Sequence, residues 1–245
     1  MLEQYSWVLP KAVRRQLRFF RMRNEWRRLG AMTREAAFND VYVRGLWGSE
    51  SEGLSGEGSY GDLAEHYVQI VEDMIHKIDA ASVLDLGTGD FNIGQKLCHL
   101  VEQFIAADVS SVIIERNRVL FAAERTVNFI QLDACSDPLP RADLVLIRQV
   151  LQHLSNDEIE AVLQNLERSG CRRALIVEHH PASTEFKQEN TDLPAHGPHL
   201  RIADGSGVYL DRPPFSRKTE TVATCPYRRG ETLTYYIWEC GTESV

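Results

Sequence analysis

VLDLGTGDFNIGQKL, residues 83–97, is the stretch that decides the fold. An apolar run ends at Asp85, glycines follow at Gly87, Gly89 and Gly94, and an amphipathic segment begins. A glycine-rich turn between a strand and a helix lets the backbone come close to a bound ligand. A dinucleotide, a phosphate or S-adenosylmethionine could each use such a turn, so the glycines alone leave the ligand open.

Length and composition limit the kind of protein. The chain has 245 residues, 43% of them hydrophobic, which is enough for one α/β core with appendages. Its five cysteines lack CxxC spacing, which argues against a disulfide framework or a zinc site and suits a reducing cytoplasm. No apolar run approaches the roughly 18 residues that span a bilayer, and the N-terminus shows no signal-peptide pattern. We therefore predict a cytoplasmic protein.

The charge is distributed unevenly. The net charge is −8, but residues 1–30 carry eight basic and two acidic side chains, or +6, which leaves −14 for the remainder. An acidic body makes nucleic acid an unexpected partner. Residues 11–29 predict a helix whose apolar side chains do not form one stripe. Two interpretations stay open: docking on the body or on a second protomer of a homodimer, or peripheral contact with an anionic membrane or a phosphorylated glycan carrier.

Downstream, strand and helix patterns alternate. After an amphipathic helix over 63–78, strands are predicted at 82–86, 103–107, 127–131, 142–147 and 173–178, with helices at 91–100, 111–124 and 156–169. Such alternation indicates right-handed βαβ units and a parallel sheet. Two further strand patterns, 219–225 and 232–239, have no helix pattern between them and predict an antiparallel hairpin at the sheet edge. Residues 1–45 are predicted as a helical arm and 46–245 as the main domain.

Acidic residues around the glycine turn discriminate between the ligands. Asp90 follows Gly89 at the mouth of the next helix, where a carboxylate would oppose a bound pyrophosphate. Asp85 suits a ligand with an ammonium group, which the methionyl part of S-adenosylmethionine has and NAD lacks. Asp108, at the end of the second strand, can accept ribose hydroxyls of either cofactor, and its alternative role is to cap the strand end.

From about Ser82 to Glu178 the chain resembles the class I S-adenosylmethionine-dependent methyltransferases, which have a Rossmann-like fold. LDLGTGD matches their first motif, AADVS the ribose motif, QLDACSDPLP the segment after the third strand, and ADLVLIRQVLQHLSNDEI the fourth strand with its acceptor-facing turn. The resemblance implies an α/β three-layer sandwich whose mostly parallel seven-stranded sheet ends in an antiparallel hairpin. WG, SGEGS, GDFN, RQVLQHL and RPPF further resemble a bacterial subgroup associated with small-molecule or glycan modification.

The resemblance implies S-adenosylmethionine as the cofactor and a set of residues that bind it. Asp85 would hold the ammonium group, the turn 87–89 the methionine backbone, Asp108 the ribose, and Asp133 the adenine amine unless it only caps its strand. Ser59 would reach the methionyl carboxylate or, alternatively, cap the following helix. One departure is Phe91, which replaces the third glycine and would cover the methionyl end or pack the helix on the sheet. The full set is Ser59, Asp85, Gly87, Thr88, Gly89, Phe91, Asn92, Asp108, Val109, Asp133, Ala134 and Arg148.

The acceptor is expected beyond the carboxyl ends of the fourth and fifth strands. Histidine suits removal of a hydroxyl proton, and His153, His179 and His180 follow these strands as candidate catalytic bases. Transfer without a protein base stays open, as does a structural role for His153. The long segment 178–215 predicts an acceptor lid, with an ordinary surface loop as the alternative. Its spacing matches no metal motif, so no metal site is predicted. Gln149, His196, Arg201 and Tyr209 are the predicted substrate-binding residues.

These patterns lead to one main hypothesis and two alternatives. The main hypothesis is methyl transfer to a hydroxyl of a sugar, glycan or small metabolite, with S-adenosylhomocysteine as the product. Methylation of an amine or a carboxylate of a small molecule or peptide is the alternative that keeps the cofactor. A non-enzymatic interaction subunit, recruited through the basic arm, is the other.

Overall fold

The computed structural model of the protein describes residues 24, 25, 27–48 and 53–240. Seven strands form one sheet in the order β3-β2-β1-β4-β5-β7-β6. Their bounds are Ser82–Leu86 (β1), Gln103–Asp108 (β2), Val127–Gln131 (β3), Leu144–Arg148 (β4), Arg173–His180 (β5), Thr219–Pro226 (β6) and Thr232–Glu239 (β7). β1 to β5 run parallel and β7 pairs antiparallel with both β5 and β6. The predicted mostly parallel sheet with a closing hairpin is confirmed.

Helices cover both faces of this sheet. They are Arg34–Val43 (α1), Gly61–Ile78 (α2), Gly94–Leu97 (α3), Ser111–Leu120 (α4) and Asn156–Ser169 (α5). The sequence signals explain several of their starts: Thr33 caps α1, Ser110 caps α4, and Ser155 with Glu158 forms a capping box on α5. The predicted basic helix at 11–29 lies almost entirely outside the described residues.

The helix predicted over 91–100 is much shorter than expected. Phe91 has a φ of 65°, in the left-handed region, so a right-handed helix cannot begin there. The helix instead begins at Gly94. Phe91 thus keeps a backbone conformation that glycine adopts without strain. Its buried ring packs against Phe104, Phe121 and Phe129, with ring centroids 4.8 to 5.9 Å apart, which offsets the strain.

Successive residues of a strand pack into two separate hydrophobic layers, because side chains alternate between the two faces of a sheet. Val83, Phe104 and Leu144 pack with α2 and α4 on one face. Leu84 and Ile105 pack with α5 on the other. The middle of the sheet is therefore buried on both sides, as in other parallel sheets.

The segment between β5 and β6 is packed against the body. Val208, Leu210 and Phe215 are buried in the same layer as α5. Asn190 holds the segment together: its side chain donates to the carbonyls of Tyr209 and Pro213 and accepts from the Tyr209 N–H. Among the described residues, no helix is long and apolar enough to cross a membrane.

Candidate cofactor and acceptor site

A cavity of about 540 Å³ opens at the carboxyl ends of β1, β2, β4 and β5, a size that suits a small-molecule site. This is the edge of an open α/β sheet at which ligands bind. Thirteen of the residues proposed from the sequence line it: Ser59, Asp85, Gly87, Thr88, Gly89, Asp108, Val109, Asp133, Ala134, Arg148, Gln149, His153 and His179.

The glycine turn after β1 is held against β2. The N–H groups of Gly87 and Thr88 both donate to the Ala107 carbonyl, at 2.8 and 3.0 Å. Gly89 has a φ of 59°, and a Cβ at this position would collide with Ser55 Oγ. The turn therefore requires glycine both for its conformation and for the close approach of the loop at residues 53–60.

At the carboxyl ends of β1 and β4 the cavity wall carries an acidic side chain, Asp85, and a guanidinium group, that of Arg148. Asp85 is buried, and burial raises its pKa to about 6. The Arg148 guanidinium lies 5.2 Å above the Tyr67 ring and donates to Ser59 Oγ at 3.2 Å and to the carbonyl of Gly58. Tyr67 Oη is buried with no hydrogen-bond partner among the described residues. An ammonium group beside Asp85 and a carboxylate beside Arg148 would satisfy this wall, which fits the zwitterionic end of S-adenosylmethionine.

Asp108 occupies the position expected for a ribose-binding carboxylate. Its oxygens accept from the N–H groups of Gly89 at 3.1 Å and Ser110 at 2.9 Å. The Tyr42 hydroxyl of α1 is a further hydrogen-bond partner. Burial nevertheless raises the pKa of Asp108 to about 6, because the group lies in a closed part of the cavity.

An ion-pair network ties α1 to the far end of the cavity. Arg34 Nε donates to both Asp133 oxygens, at 3.0 and 2.8 Å, and Nη1 donates to Glu158 at 3.0 Å. His196 Nδ1 lies 2.7 Å from the same Glu158 oxygen. Burial by itself would raise the pKa of Glu158. Hydrogen bonds from His196, the Ser155 backbone and Arg34 outweigh this effect and lower the pKa to about 2. The predicted adenine ligand Asp133 is thus oriented by an arginine that is distant in sequence.

Asp90 fastens the loop 53–60 over the cavity. Its carboxylate accepts from the Leu54 N–H at 2.9 Å and from the Tyr60 hydroxyl, while its own N–H donates to Ser55 Oγ at 2.8 Å. The acid after the glycine turn is therefore used for loop closure.

His153 lies in an aromatic corner of the cavity. Its ring centroid is 4.9 Å from that of Trp47 and 6.4 Å from that of Phe38. His153 Nδ1 lies 3.2 Å from the His199 carbonyl, which can only accept, so the proton of the neutral ring sits on Nδ1. Burial lowers the pKa of His153 to about 4. The ring is neutral at pH 7, with Nε2 as its acceptor atom.

His179 is paired with a carboxylate. Its Nε2 lies 3.0 Å from Glu231 Oε2, and the Tyr227 ring meets the imidazole edge-on at 4.6 Å. Burial lowers the pKa of His179 to about 4 and raises that of Glu231. A neutral His179 that donates Nε2–H to Glu231 keeps Nδ1 as an acceptor, and the carboxylate would stabilise the imidazolium formed when Nδ1 takes a proton.

Comparisons with known proteins agree with this geometry. A family model described as a methyltransferase domain matches residues 83–169. This part of the chain is therefore a methyltransferase domain, and the sheet that contains its strands has the class I fold. S-adenosylmethionine is its cofactor, as the sequence predicts. A comparison with curated protein sequences finds no match.

Two solved methyltransferase structures show the same fold as this chain at low sequence identity. The N-methyltransferase NodS from Bradyrhizobium japonicum, in complex with S-adenosylhomocysteine, has a TM-score of 0.60 and 12% identity over 82% of this chain and 98% of its own. The methyltransferase domain of bacterial CtHen1 has a TM-score of 0.52 and 13% identity, over 73% of this chain and 100% of its own. The YcgJ protein of Bacillus subtilis is 21% identical with a TM-score of 0.43, and the alignment covers 49% of this chain and 53% of that one.

Four predicted residues of the methyltransferase do not line the cavity: Phe91, Asn92, His180 and Tyr209. Phe91 packs in the core, so its ring secures the turn and does not cover the methionyl end. Asn92 donates to the Ser59 carbonyl at 2.6 Å and supports the loop over the cavity. His180 points to the opposite side of β5 from His179, where it bonds Val208 and Thr234 and stacks on Tyr209 at 4.1 Å. Both of its ring nitrogens are engaged, so the position of His180 does not support a role as base.

His196 and Arg201 also lie away from the cavity lining. The charged end of Arg201 is occupied by Asn156 Oδ1 and the carbonyls of Leu154 and Thr191, which fastens the segment after β5 to the start of α5. His196 contacts Glu158 as described above, and its Nε2 is buried without a partner among the described residues. Neither arrangement supports direct contact with a substrate.

Several lining residues were not among those predicted from the sequence. They include Arg34, Phe38, Tyr42, Trp47, Tyr227 and Glu231. The first three belong to α1, which the sequence assigns to the N-terminal arm, and the last two to the turn of the final hairpin. Spacing of Arg34, Phe38 and Tyr42 by four residues places them on one face of a helix, and that is the signal that could have found them. Metal-ligand clusters are absent from the described part of the chain.

Proposed function

We propose that this methyltransferase acts on a hydroxyl group of a sugar, glycan or small metabolite, with His179 as the base that accepts the hydroxyl proton. The observation that carries the proposal is the His179–Glu231 pair in the cavity wall, 3.0 Å apart. A neutral amine can attack without such a pair, because its nitrogen is a much stronger nucleophile than a hydroxyl oxygen. A hydroxyl is a weak nucleophile unless its proton is removed as the new bond forms.

Bound S-adenosylmethionine supplies a methyl group on a positively charged sulfur and leaves as S-adenosylhomocysteine. The chain's residues hold the two reactants and manage the proton. The methionyl end of the cofactor would lie between Asp85 and Arg148, and its ribose would bind Asp108. The loop 53–60 would exclude water from the reacting groups. His179 Nδ1 would take the hydroxyl proton, and Glu231 would stabilise the resulting charge.

Position favours His179 over His153 as the base. His153 contacts Phe38, which follows Arg34 by one helical turn, and Arg34 binds Asp133. His153 therefore belongs to the side of the cavity predicted to hold adenine. His179 contacts Tyr227, whose phenol interacts electrostatically with Arg148. It thus belongs to the side predicted to hold the methionyl group and the transferable methyl. His153 also lacks a carboxylate partner among the described residues.

Two measurements test this proposal in order. Calorimetry with S-adenosylhomocysteine should show binding by the wild type and much weaker binding by Asp108→Ala. Transfer of a labelled methyl group should then be measured on acceptor pairs that differ only in a hydroxyl or an amine at one position. We expect methylation of the hydroxyl member, and loss of turnover with retained cofactor binding in His179→Gln and Glu231→Gln.

An exposed histidine provides the matched control, and His99→Gln should leave both binding and turnover unchanged. Methylation of the amine members alone, or full activity in His179→Gln, would refute hydroxyl transfer with this base. Absence of S-adenosylhomocysteine binding would favour the interaction subunit.

A further inference from the structure

The turn of the closing hairpin, residues 227–231, brings two arginines to the wall of the cavity. Tyr227, Arg228, Arg229 and Glu231 all line it, and both arginines are exposed at its rim. The turn is closed by backbone hydrogen bonds from Tyr227 to Glu231 and from Glu231 to Arg228, of 2.8 and 2.9 Å. It is therefore an ordered part of the site.

Arg229 adopts a conformation that its side chain does not favour. Its φ is 53° and its ψ is 28°, in the left-handed region that glycine or asparagine occupies more readily. Strained residues of this kind concentrate at functional sites. Within the described part of the chain, Arg229 has no carboxylate oxygen at ion-pair distance, although Glu231 of the same turn interacts electrostatically with both arginines.

Contacts connect the arginines to the proposed base. The Arg228 guanidinium lies 5.6 Å from the centre of the Tyr227 ring, and that ring contacts His179 edge-on at 4.6 Å. The other end of the turn supplies Glu231, the partner of His179. One five-residue turn thus carries the partner of the base and a pair of positive charges.

We propose that this turn recognises an anionic group on the acceptor, a phosphate or a carboxylate, through Arg228 and Arg229. The inference rests on the proposed function and names its substrate class: a hydroxyl compound that carries a negative charge. The cofactor does not account for these arginines, since Arg148 is placed for its carboxylate. The chain beyond residue 30 has a net charge of −14, so the two arginines at the rim form a local positive patch on an otherwise acidic body.

The test is calorimetric titration of the full chain with matched sugars: glucose, glucose 6-phosphate and glucuronic acid, each with S-adenosylhomocysteine present. Inorganic phosphate is titrated both with and without S-adenosylhomocysteine. The Arg228→Ala/Arg229→Ala double variant is compared with Arg125→Ala/Arg168→Ala, which removes two exposed arginines that do not line the cavity. The two anionic sugars separate phosphate recognition from carboxylate recognition.

We expect at least one anionic probe to bind the wild type about tenfold or more tightly than glucose at low salt. The double variant should lose that preference and keep its affinity for S-adenosylhomocysteine, while the control keeps both. Equal binding of charged and neutral probes, or an unchanged preference in the double variant, would overturn the inference. If S-adenosylhomocysteine itself does not bind, the proposed function fails, and the phosphate titration without cofactor still decides whether the turn binds an anion.

Discussion

Replacing Arg34 by methionine removes the link between α1 and the adenine end of the site. Arg34 is partly buried and neutralises two carboxylates, Asp133 and Glu158. The lowering of the Glu158 pKa from 4.5 to about 2 corresponds to about 3 kcal/mol of folding free energy at pH 7. His196, the Ser155 backbone and Arg34 contribute to this stabilisation together. About 1 kcal/mol is therefore assigned to Arg34, and a similar amount to its bond with the partly exposed Asp133. We expect Arg34→Met to lower the free energy of unfolding by about 2 kcal/mol at pH 7.

The pH dependence of this loss has a defined sign. The folded-state pKa values of Asp133 and Glu158 are lowered, so the stabilisation is present above about pH 4.5 and is lost as the pH falls toward 2. Urea unfolding at pH 7 and at pH 2 should show a large difference between Arg34→Met and wild type at pH 7 and a clearly smaller one at pH 2. Arg34→Lys should be intermediate, because an ammonium group cannot form the forked bond to Asp133.

The same variant should bind the cofactor less tightly. Without Arg34, Asp133 is no longer held in one orientation, and we expect the Kd of S-adenosylhomocysteine to rise about tenfold, measured by calorimetry. Arg173→Met is the control, since Arg173 pairs with the exposed Glu239 at the opposite end of the sheet, and it should change stability by less than about 0.5 kcal/mol. Arg34→Met within about 0.5 kcal/mol of wild type at pH 7, or a difference that stays undiminished at pH 2, would refute the reasoning.

Three further predictions concern the glycine turn, the proposed base and the buried Glu178 that precedes it. Gly89→Ala should destabilise the protein by about 1–3 kcal/mol and abolish S-adenosylhomocysteine binding in calorimetry, because a Cβ would collide with Ser55 Oγ. Gly170→Ala, left-handed as well but far from the cavity, should cost about 1 kcal/mol and leave binding intact. His179→Gln should lower kcat about a hundredfold or more, while wild-type kcat/KM should stay flat from pH 6 to 8 because the pKa of His179 is about 4. Burial raises the pKa of Glu178 to about 8, so the free energy of unfolding of the wild type, measured in urea, should fall from pH 6 to 9. Glu178→Gln should reduce that fall. An equal fall in the variant and the wild type would contradict the raised pKa of Glu178.

The sequence alone determined the sheet, and thirteen of the nineteen site residues predicted from it line the cavity. Apolar periodicity placed the strands, since side chains that alternate across a sheet leave a direct pattern in the chain. Asp85 and Asp108 were each predicted to bind the cofactor, and both line the cavity because they lie at the carboxyl ends of parallel strands, which share one edge of the sheet. The start of the third helix was misplaced because apolar spacing does not show that Phe91 takes a left-handed conformation.

Tertiary structure decided which side chains share the cavity. Arg34 and Asp133 are 99 positions apart, and His179 and Glu231 are 52 apart, so no local pattern could pair them. His179 and His180 looked equivalent in sequence, yet successive residues of a strand point to opposite faces, and only the sheet's position fixed which one reaches the cavity. Local spacing specifies the elements and their ends, whereas contacts between distant elements arise from the packing of the whole chain.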